Sequence, residues 1–357
     1  MTAERLLTLN TETLIGDTDQ RGMAWHYRAE LQGAESNHYP GPVPIDDIRR
    51  RLIPWTAVPR RVAVELPCDL RDADHAGDEG QPLRWAVMEE RQAIVRDDTH
   101  KVFEIFKGGY RAHQYDPWLI KNVETLLDDQ LHVSSAGLLR GGGVMWVEVS
   151  VPDSITTPEG VVFRPNLLTG TSFDGSLATF YKRTIQMTVC DNTLEIAKSE
   201  EGATVKIRHS VNSLSRITDV REALGLVYTA ADDFAAEVKA LCEQEVTDAQ
   251  WSDILTRLVP IDEENDGLRK QRAAEHKREE LNQLFKFDTR VADWTGTSFG
   301  VLQAFNTWQH HLQGGLSGAN AEAKSAARAQ RNMLRAVEGT GAKADQVVLD
   351  ALADVLG

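Results

Sequence analysis

The sequence predicts an α+β fold, a central antiparallel β-sheet covered on one face by helices with a mainly helical C-terminal region, and three observations lead there. Four consecutive runs, Leu131 to Arg140, Val144 to Val151, Val161 to Thr169 and Leu177 to Cys190, are rich in β-branched and apolar residues and are bounded by Gly, Pro, Asp or Ser. Within them Met145, Val147, Val149 and Val151, and likewise Leu177, Tyr181, Ile185, Met187 and Val189, recur at the period of two that puts side chains on one side of a strand. One face is therefore apolar and needs helices against it. Beyond Val205 to His209, read as a strand returning to the sheet, the pattern turns helical.

Taken in order, residues 1–98 read as an N-terminal subdomain, 99–228 as the sheet domain with its covering helix, and 229–357 as the helical region. Trp25, His26 and Tyr27 cluster; Tyr39 to Pro44 is an extended loop, and Ile45 to Leu52 a short helix that opens behind Pro44 and ends before Pro54. Arg61 to Leu66, Leu83 to Met88 and Gln92 to Arg96 read as strands, separated by the acidic loop Asp69 to Gly80. Arg49, Arg50 and Arg51, with Arg60 and Arg61, form the densest basic patch, a phosphate contact or, more simply, a solvated helix end.

Asp116 as cap with Pro117 at the first helical position starts a helix through Leu127, which makes Trp118, Val123 and Leu126 core residues. Arg140 to Gly143 is a hairpin turn, because glycine takes the positive φ that tight turns need. No Lys-Ser or Lys-Thr follows at phosphate-loop spacing. Asp191 or Asn192 caps a short helix through Lys198. In the C-terminal region Thr229 with Asp232 and Thr247 with Gln250 have cap spacing, Leu268 to Phe285 is a charged helix, and Ala319 to Val337 is an Ala-rich helix ending at Gly339.

The second face of the central sheet carries the candidate site. Alternation gives it Trp146 and Glu148, then Arg164 and Asn166, then Phe180, Lys182, Thr184, Gln186 and Thr188. Cations beside aromatics track phosphates while stacking bases, at about 1–3 kcal/mol per stacked base. The plain alternative is an ordinary face whose Trp146 and Phe180 lie beneath a helix or a second protomer. The formal charge of −15 counts against a generic polyanion binder, yet Arg140, Arg164, Lys182, Arg183, Lys206, Arg208 and Arg216 gather in or just after the sheet, and local potential decides docking. No apolar run reaches the roughly 20 residues of a membrane helix, and no signal pattern opens the chain, so an intracellular protein is expected.

Several motifs carry a resemblance. The strings SAGLLRGGGVMWVEVSVP, FRPNLLTGTSFDGSLATFY, VCDNTL, KIRHSVNS and VREALGL resemble the phage/plasmid-like protein family built on the domain of unknown function numbered 932. GMAWHY, YPGPVP, PWTAVPRR and GTSFGVLQAFNTWQHH are similar to the longer actinobacteriophage members. The resemblance implies a phage or plasmid setting and is nearly silent on activity.

Enzyme constellations are sparse. His310 and His311 are adjacent, about 100° apart on a helix, with no Glu-x-x-His frame, so no metal site is expected there. GTSFDGS lacks the Gly-x-Ser-x-Gly elbow. Cys68, Cys190 and Cys242 are odd in number and widely spaced, which fits a reducing compartment. Consecutive strands closed by a helix are similar in outline to the β-β-β-α core of Rad52-like annealing proteins, an analogy of fold only. The expectation is a non-enzymatic DNA-metabolism protein without cofactor or metal, in the cytoplasm of a bacterial host. It binds single-stranded DNA as a homo-oligomer through Trp146 and Phe180 on bases and Arg140, Arg164, Lys182 and Arg183 on phosphates. Two readings stand beside it. One is a protein-interaction or host-modulating factor whose aromatics are buried at a protomer interface; the other is a thiol hydrolase using Cys190 and His209 with Asp174 or Asn192.

Overall fold

Consecutive β-branched runs pair in a meander, and their apolar side chains fix which face turns inward. The computed structural model describes residues 14–17, 35, 38–66, 84–127, 131–151, 153–187, 193–194, 204–207, 220–262, 264–314 and 321–357. Its strands are β1 (Leu14–Asp17), β2 (His38–Tyr39), β3 (Ala57–Leu66), β4 (Arg84–Arg96), β5 (Val102–Lys107), β6 (His132–Leu139), β7 (Val144–Ser150), β8 (Ile155–Thr156), β9 (Val162–Ser172), β10 (Thr179–Met187), β11 (Thr193–Leu194) and β12 (Thr204–Ile207). Among the described residues they form a nine-stranded sheet in the order β11-β10-β9-β7-β6-β1-β2, with β12 also on β10 and β8 on β9, and a three-stranded sheet β3-β4-β5. The four expected central strands are β6, β7, β9 and β10, all antiparallel neighbours.

The helices are α1 (Ile45–Leu52), α2 (a π-helical turn Asp116–Ile120 continuing as Lys121–Glu124), α3 (Val220–Glu243), α4 (Asp248–Leu258), α5 (Leu268–Phe287), α6 (Ser298–Thr307), α7 (Ala321–Glu338) and α8 (Thr340–Leu356). The fold class is thus α+β with a helical C-terminal region. The expected boundary at residue 98 falls inside a sheet, since β5 pairs with β4 across it, and β1 joins the central sheet through β6.

The apolar face packs as its period requires. Met145, Val147, Val149, Leu167 and Tyr181 meet Ile48 and Leu52 of α1 and Trp118, Leu119 and Val123 of α2 in one buried cluster. Each such side chain contributes about 1.5–3 kcal/mol by leaving water. Farther along the same face, Phe163 and Ile185 pack under Phe234 and Val238 of α3, with Phe299 of α6 completing the contact. A separate core around Trp251, Leu281, Phe285, Phe305 and Leu352 joins α4, α5, α6 and α8.

Local signals were decisive where they were strong. Thr247 caps α4 in a complete capping box with Gln250, and Gly339, at φ 73°, makes the left-handed break between α7 and α8. At the β6–β7 turn Gly141 and Gly142 take φ of 66° and 100°, and even Arg140 is drawn to 54°. Three expectations need correction. Thr193 and Leu194 are strand, opposite Gln186 and Ile185, where a capped helix was expected, because β10 offers them an unpaired edge. Thr229 lies inside α3, which already begins at Val220. Asp116 does not cap α2; Tyr115 holds that position, and the Asp116 carboxylate instead accepts a 2.6 Å bond from Arg49 Nε.

A close approach within the sheet gives a test. A Cβ built on Gly170 falls 2.8 Å from the Met145 carbonyl oxygen and 2.9 Å from the Phe180 ring, so neither backbone nor buried ring has room to yield. Gly170→Ala is expected to lower stability by about 1–3 kcal/mol, read as a reduced urea midpoint, and an unchanged midpoint contradicts this packing.

Candidate functional site

Register brings the expected residues together on one face. Directly opposed residues point to the same side of a sheet, and the pairings run Gly137, Trp146, Gly170, Phe180, Lys206 in one row. The next row is Ser135, Glu148, Leu168, Lys182, Thr204, followed by Ser150, Asn166, Thr184 and by Arg164 with Gln186. Trp146 and Phe180 each have glycine as neighbour in their row, which leaves space for the rings over the strands. The face was legible from alternation alone.

Its exposure was not. Trp146 is 1% exposed, Phe180 4% and Lys182 6%. Leu334, Ala336 and Val337, from the last turns of α7, pack on Leu139, Val144, Trp146, Leu168 and Phe180. Lys182 Nζ donates to the Ala336 carbonyl oxygen and stands 5.5 Å from the Phe180 ring centre. A lysine there neutralises the partial negative charge at a helix C-terminus and satisfies a carbonyl that the helix leaves open. Outside the helix, Arg140 Nη2 bonds Glu338 Oε1 at 2.5 Å while its Nη1 bonds Asp174 Oδ2 at 3.0 Å.

The expectation of an open basic and aromatic platform is therefore corrected for Trp146, Phe180 and Lys182. The alternation rule places a side chain on a face; what covers that face comes from residues 334–338, far along the chain. Arg164 is half-buried, with Ser154 at 3.4 Å. Arg183 stands opposite Leu167 in the register, and its side chain lies outside the described residues, as do Cys190 and His209.

Glu148 is buried in the middle of this face. It accepts 2.8 Å and 3.0 Å bonds from Ser135 Oγ and Asn166 Nδ2, and a bulge between Val133 and Ser135 brings Ser134 beside it, itself receiving a 2.6 Å bond from Ser150. Hydroxyls and an amide around one carboxylate satisfy a buried charge. Asp174 is a turn residue: it accepts from the Ser176 backbone N–H and hydroxyl as well as from Arg140. Burial alone raises its pKa, but the bonds from Ser176 and Arg140 prevail and hold the carboxyl below its ordinary range. The dense basic run is likewise neutralised, Arg49 by Asp46, Asp116 and Glu124, and Arg50 by Glu35 and Asp47. No cluster of three metal-ligating side chains occurs among the described residues.

The strands Arg61 to Leu66, Leu83 to Met88 and Gln92 to Arg96 were expected, and their described residues fall within β3 and β4; what the sequence reading missed is the exposed apolar surface of the small sheet they form with β5. Val64, Trp85, Val87, Met88, Val102 and Ile105 are 42–55% exposed and make up six of the ten large apolar side chains exposed among the described residues. The signal was present: Trp85, Ala86, Val87 and Met88 run apolar on both sides of one strand, which leaves one side needing a cover that no helix among the described residues supplies. Arg60, Ala93 and Ile105 are opposed across the three strands, as are Arg91 and Lys107 across two. Among the described residues Arg60, Arg91 and Lys107 have no carboxylate within ion-pair distance.

The α7 contact yields a prediction. Lys182→Met keeps the volume and removes the donor, leaving the Ala336 carbonyl buried and unpaired. A loss of about 1–3 kcal/mol is expected, together with faster amide exchange in the last turn of α7; unchanged exchange and midpoint would argue against the clamp.

The family comparison accords with this layout. The model of the Domain of unknown function (DUF932) matches residues 102–339, from the first residue of β5 to the glycine that ends α7. Comparison with curated proteins and with solved structures yields no match. The matched span is well over half of the chain and contains both the central sheet and the helix that covers its polar face, while β3 and β4 precede it. The chain belongs to the DUF932 family.

Proposed function

We propose that this chain is a non-enzymatic, phage- or plasmid-encoded factor of the bacterial cytoplasm that acts through protein contacts, with the β3-β4-β5 sheet as its working surface. The observation that carries this reading is the concentration of six exposed large apolar side chains on one small sheet. They lie on both sides of the sheet, Trp85 and Val87 on one and Val64 on the other, and large apolar side chains exposed together beside charged ones are the usual mark of a protein-binding surface. Arg60, Arg91, Lys107, Glu89 and Glu90 supply those charges. The central sheet, with its aromatics under α7, belongs to the interior in this reading.

Photo-crosslinking in the host tests it. With the photoreactive amino acid p-benzoylphenylalanine at position 85 or 87, protein adducts of discrete mass are expected. The same probe at Leu268 or Val347, exposed residues of α5 and α8, is expected to give none. Equal yields at all four positions, or none at any, overturn the proposal.

A second reading has one observation in its favour. The three cations that have no carboxylate partner among the described residues, Arg60, Arg91 and Lys107, offer phosphate contacts on the small sheet, which would move single-stranded DNA binding there from the central sheet. Three phosphates neutralised give a slope of roughly −2 in log affinity against log salt for a single strand. A labelled oligonucleotide followed by fluorescence anisotropy at 50 and 200 mM salt, as chosen conditions of about these values, separates the readings. The protein-contact reading expects no saturable binding. Binding with that slope, abolished by Arg60→Glu with Lys107→Glu, would establish the nucleic-acid reading instead.

A further inference from the structure

Register sorts the three-stranded part of the small sheet into two unlike sides. Val58, Val95 and Val102 are opposed across the strands, as are Arg60, Ala93 and Ile105, and beyond them Arg91 faces Lys107. Arg91, Ala93 and Val95 alternate along β4, so these rows share one side. The rows between them, Pro59 with Ile94 and Glu104 and Arg61 with Gln92 and Phe106, belong to the other. That other side is the inner one: Ile94 is buried in the central core, and Phe106 packs against the same cluster.

The outer side is cationic and apolar at once. Val102 and Ile105 are 53% and 44% exposed, and Arg60, Arg91 and Lys107 stand exposed beside them. These rows hold three cations and no carboxylate, in a chain with 54 acidic residues against 39 basic ones. Glu104 falls in the inner row of Ile94, and Glu89 and Glu90 lie past the last row, in the bulge of β4. Arg96, on the inner side of the same strand, pairs with Asp98 at 2.7 Å. The three outer cations have no such partner among the described residues.

Resting on the protein-contact reading, we infer that this outer side receives an acidic segment of a partner protein, whose carboxylates meet Arg60, Arg91 and Lys107 while its aliphatic side chains cover Val102 and Ile105. The surface itself selects that chemistry. A nucleic acid offers phosphates, but no outer row carries an aromatic ring for a base to stack on, and the two aliphatic residues stay in water. A neutral or basic segment covers the aliphatic residues and leaves the cations unanswered. An acidic amphipathic segment satisfies both halves: opposite charges fix where it lies, and apolar contact holds it. The net charge of −15 opposes such a partner at a distance, and salt screens that repulsion beyond roughly 8 Å, so the local patch decides the contact.

The test uses the full chain in its host. With p-benzoylphenylalanine at position 102 or 105, the crosslinked partner segment, sequenced by mass spectrometry, is expected to carry aspartate and glutamate in excess over lysine and arginine. A synthetic peptide of that sequence, followed by fluorescence anisotropy, is expected to bind less tightly as salt is added. Arg60→Glu with Arg91→Glu and Lys107→Glu is expected to weaken it by about tenfold or more, with an unchanged circular dichroism spectrum. A crosslinked segment of neutral or basic composition, or a peptide affinity that the triple reversal leaves unchanged, overturns the inference. So does binding to phosphatidylglycerol vesicles that the triple reversal abolishes, with no protein adduct from 102 or 105; the surface then meets anionic lipid. Adducts from position 85 alongside any of these failures leave the protein-contact reading standing, and adducts from no position remove both.

Discussion

The contact between the last turn of α7 and the Trp146–Phe180 row is the constraint on which the rest of the structure depends. A central antiparallel sheet with helices on one face is free to expose the other, and this one does not. Three side chains from the end of α7 are enough because Gly137 and Gly170 let both aromatic rings lie over the strands. With the rings covered, the Lys182 ammonium and the Glu148 carboxylate lose their water and must find partners within the protein. Lys182 finds the end of α7, and Glu148 the hydroxyls and amide of its neighbouring strands.

That constraint explains how far the sequence was legible. Strand alternation needs only neighbours in the chain, so the composition of both faces of β7, β9 and β10 could be read directly, down to Trp146, Glu148, Lys182 and Thr184 sharing one side. Exposure depends on which distant segment docks. Nothing in residues 131–190 announces that Ala336 and Val337 will lie above them, and the Ala-rich pattern of that helix said only that it had one face to bury. The same distinction holds for charge. Arg49, Arg50 and Arg51 are conspicuous as a run, but the carboxylates that neutralise them sit at Glu35, Asp116 and Glu124, in other elements.

Caps and turns, in contrast, were readable because they are local. The Thr247 box, the glycine break at Gly339 and the turn after Arg140 each involve residues within a few positions of one another. Where a local signal failed, a tertiary partner had outbid it: Asp116 serves Arg49 instead of its own helix, and Thr193-Leu194 complete the edge of β10. Polar groups settle on the partner that satisfies most of them at once, and a cap is only one of the offers.

The two sheets differ most in how they end, and that contrast bears on what the molecule does. The central sheet closes on one side with β2, two residues long, and on the other with β11 and β12, which divide the edge of β10 between them. Short, divided edges are how folded proteins avoid unwanted strand pairing. In the small sheet, among the described residues, the four residues Arg84 to Val87 pair with β3 alone before β4 bulges at Met88 to Arg91, and large apolar side chains of all three strands stand exposed. The exposed apolar side chains thus belong to the smaller sheet, while the sheet with the richer polar chemistry is kept inside beneath α7.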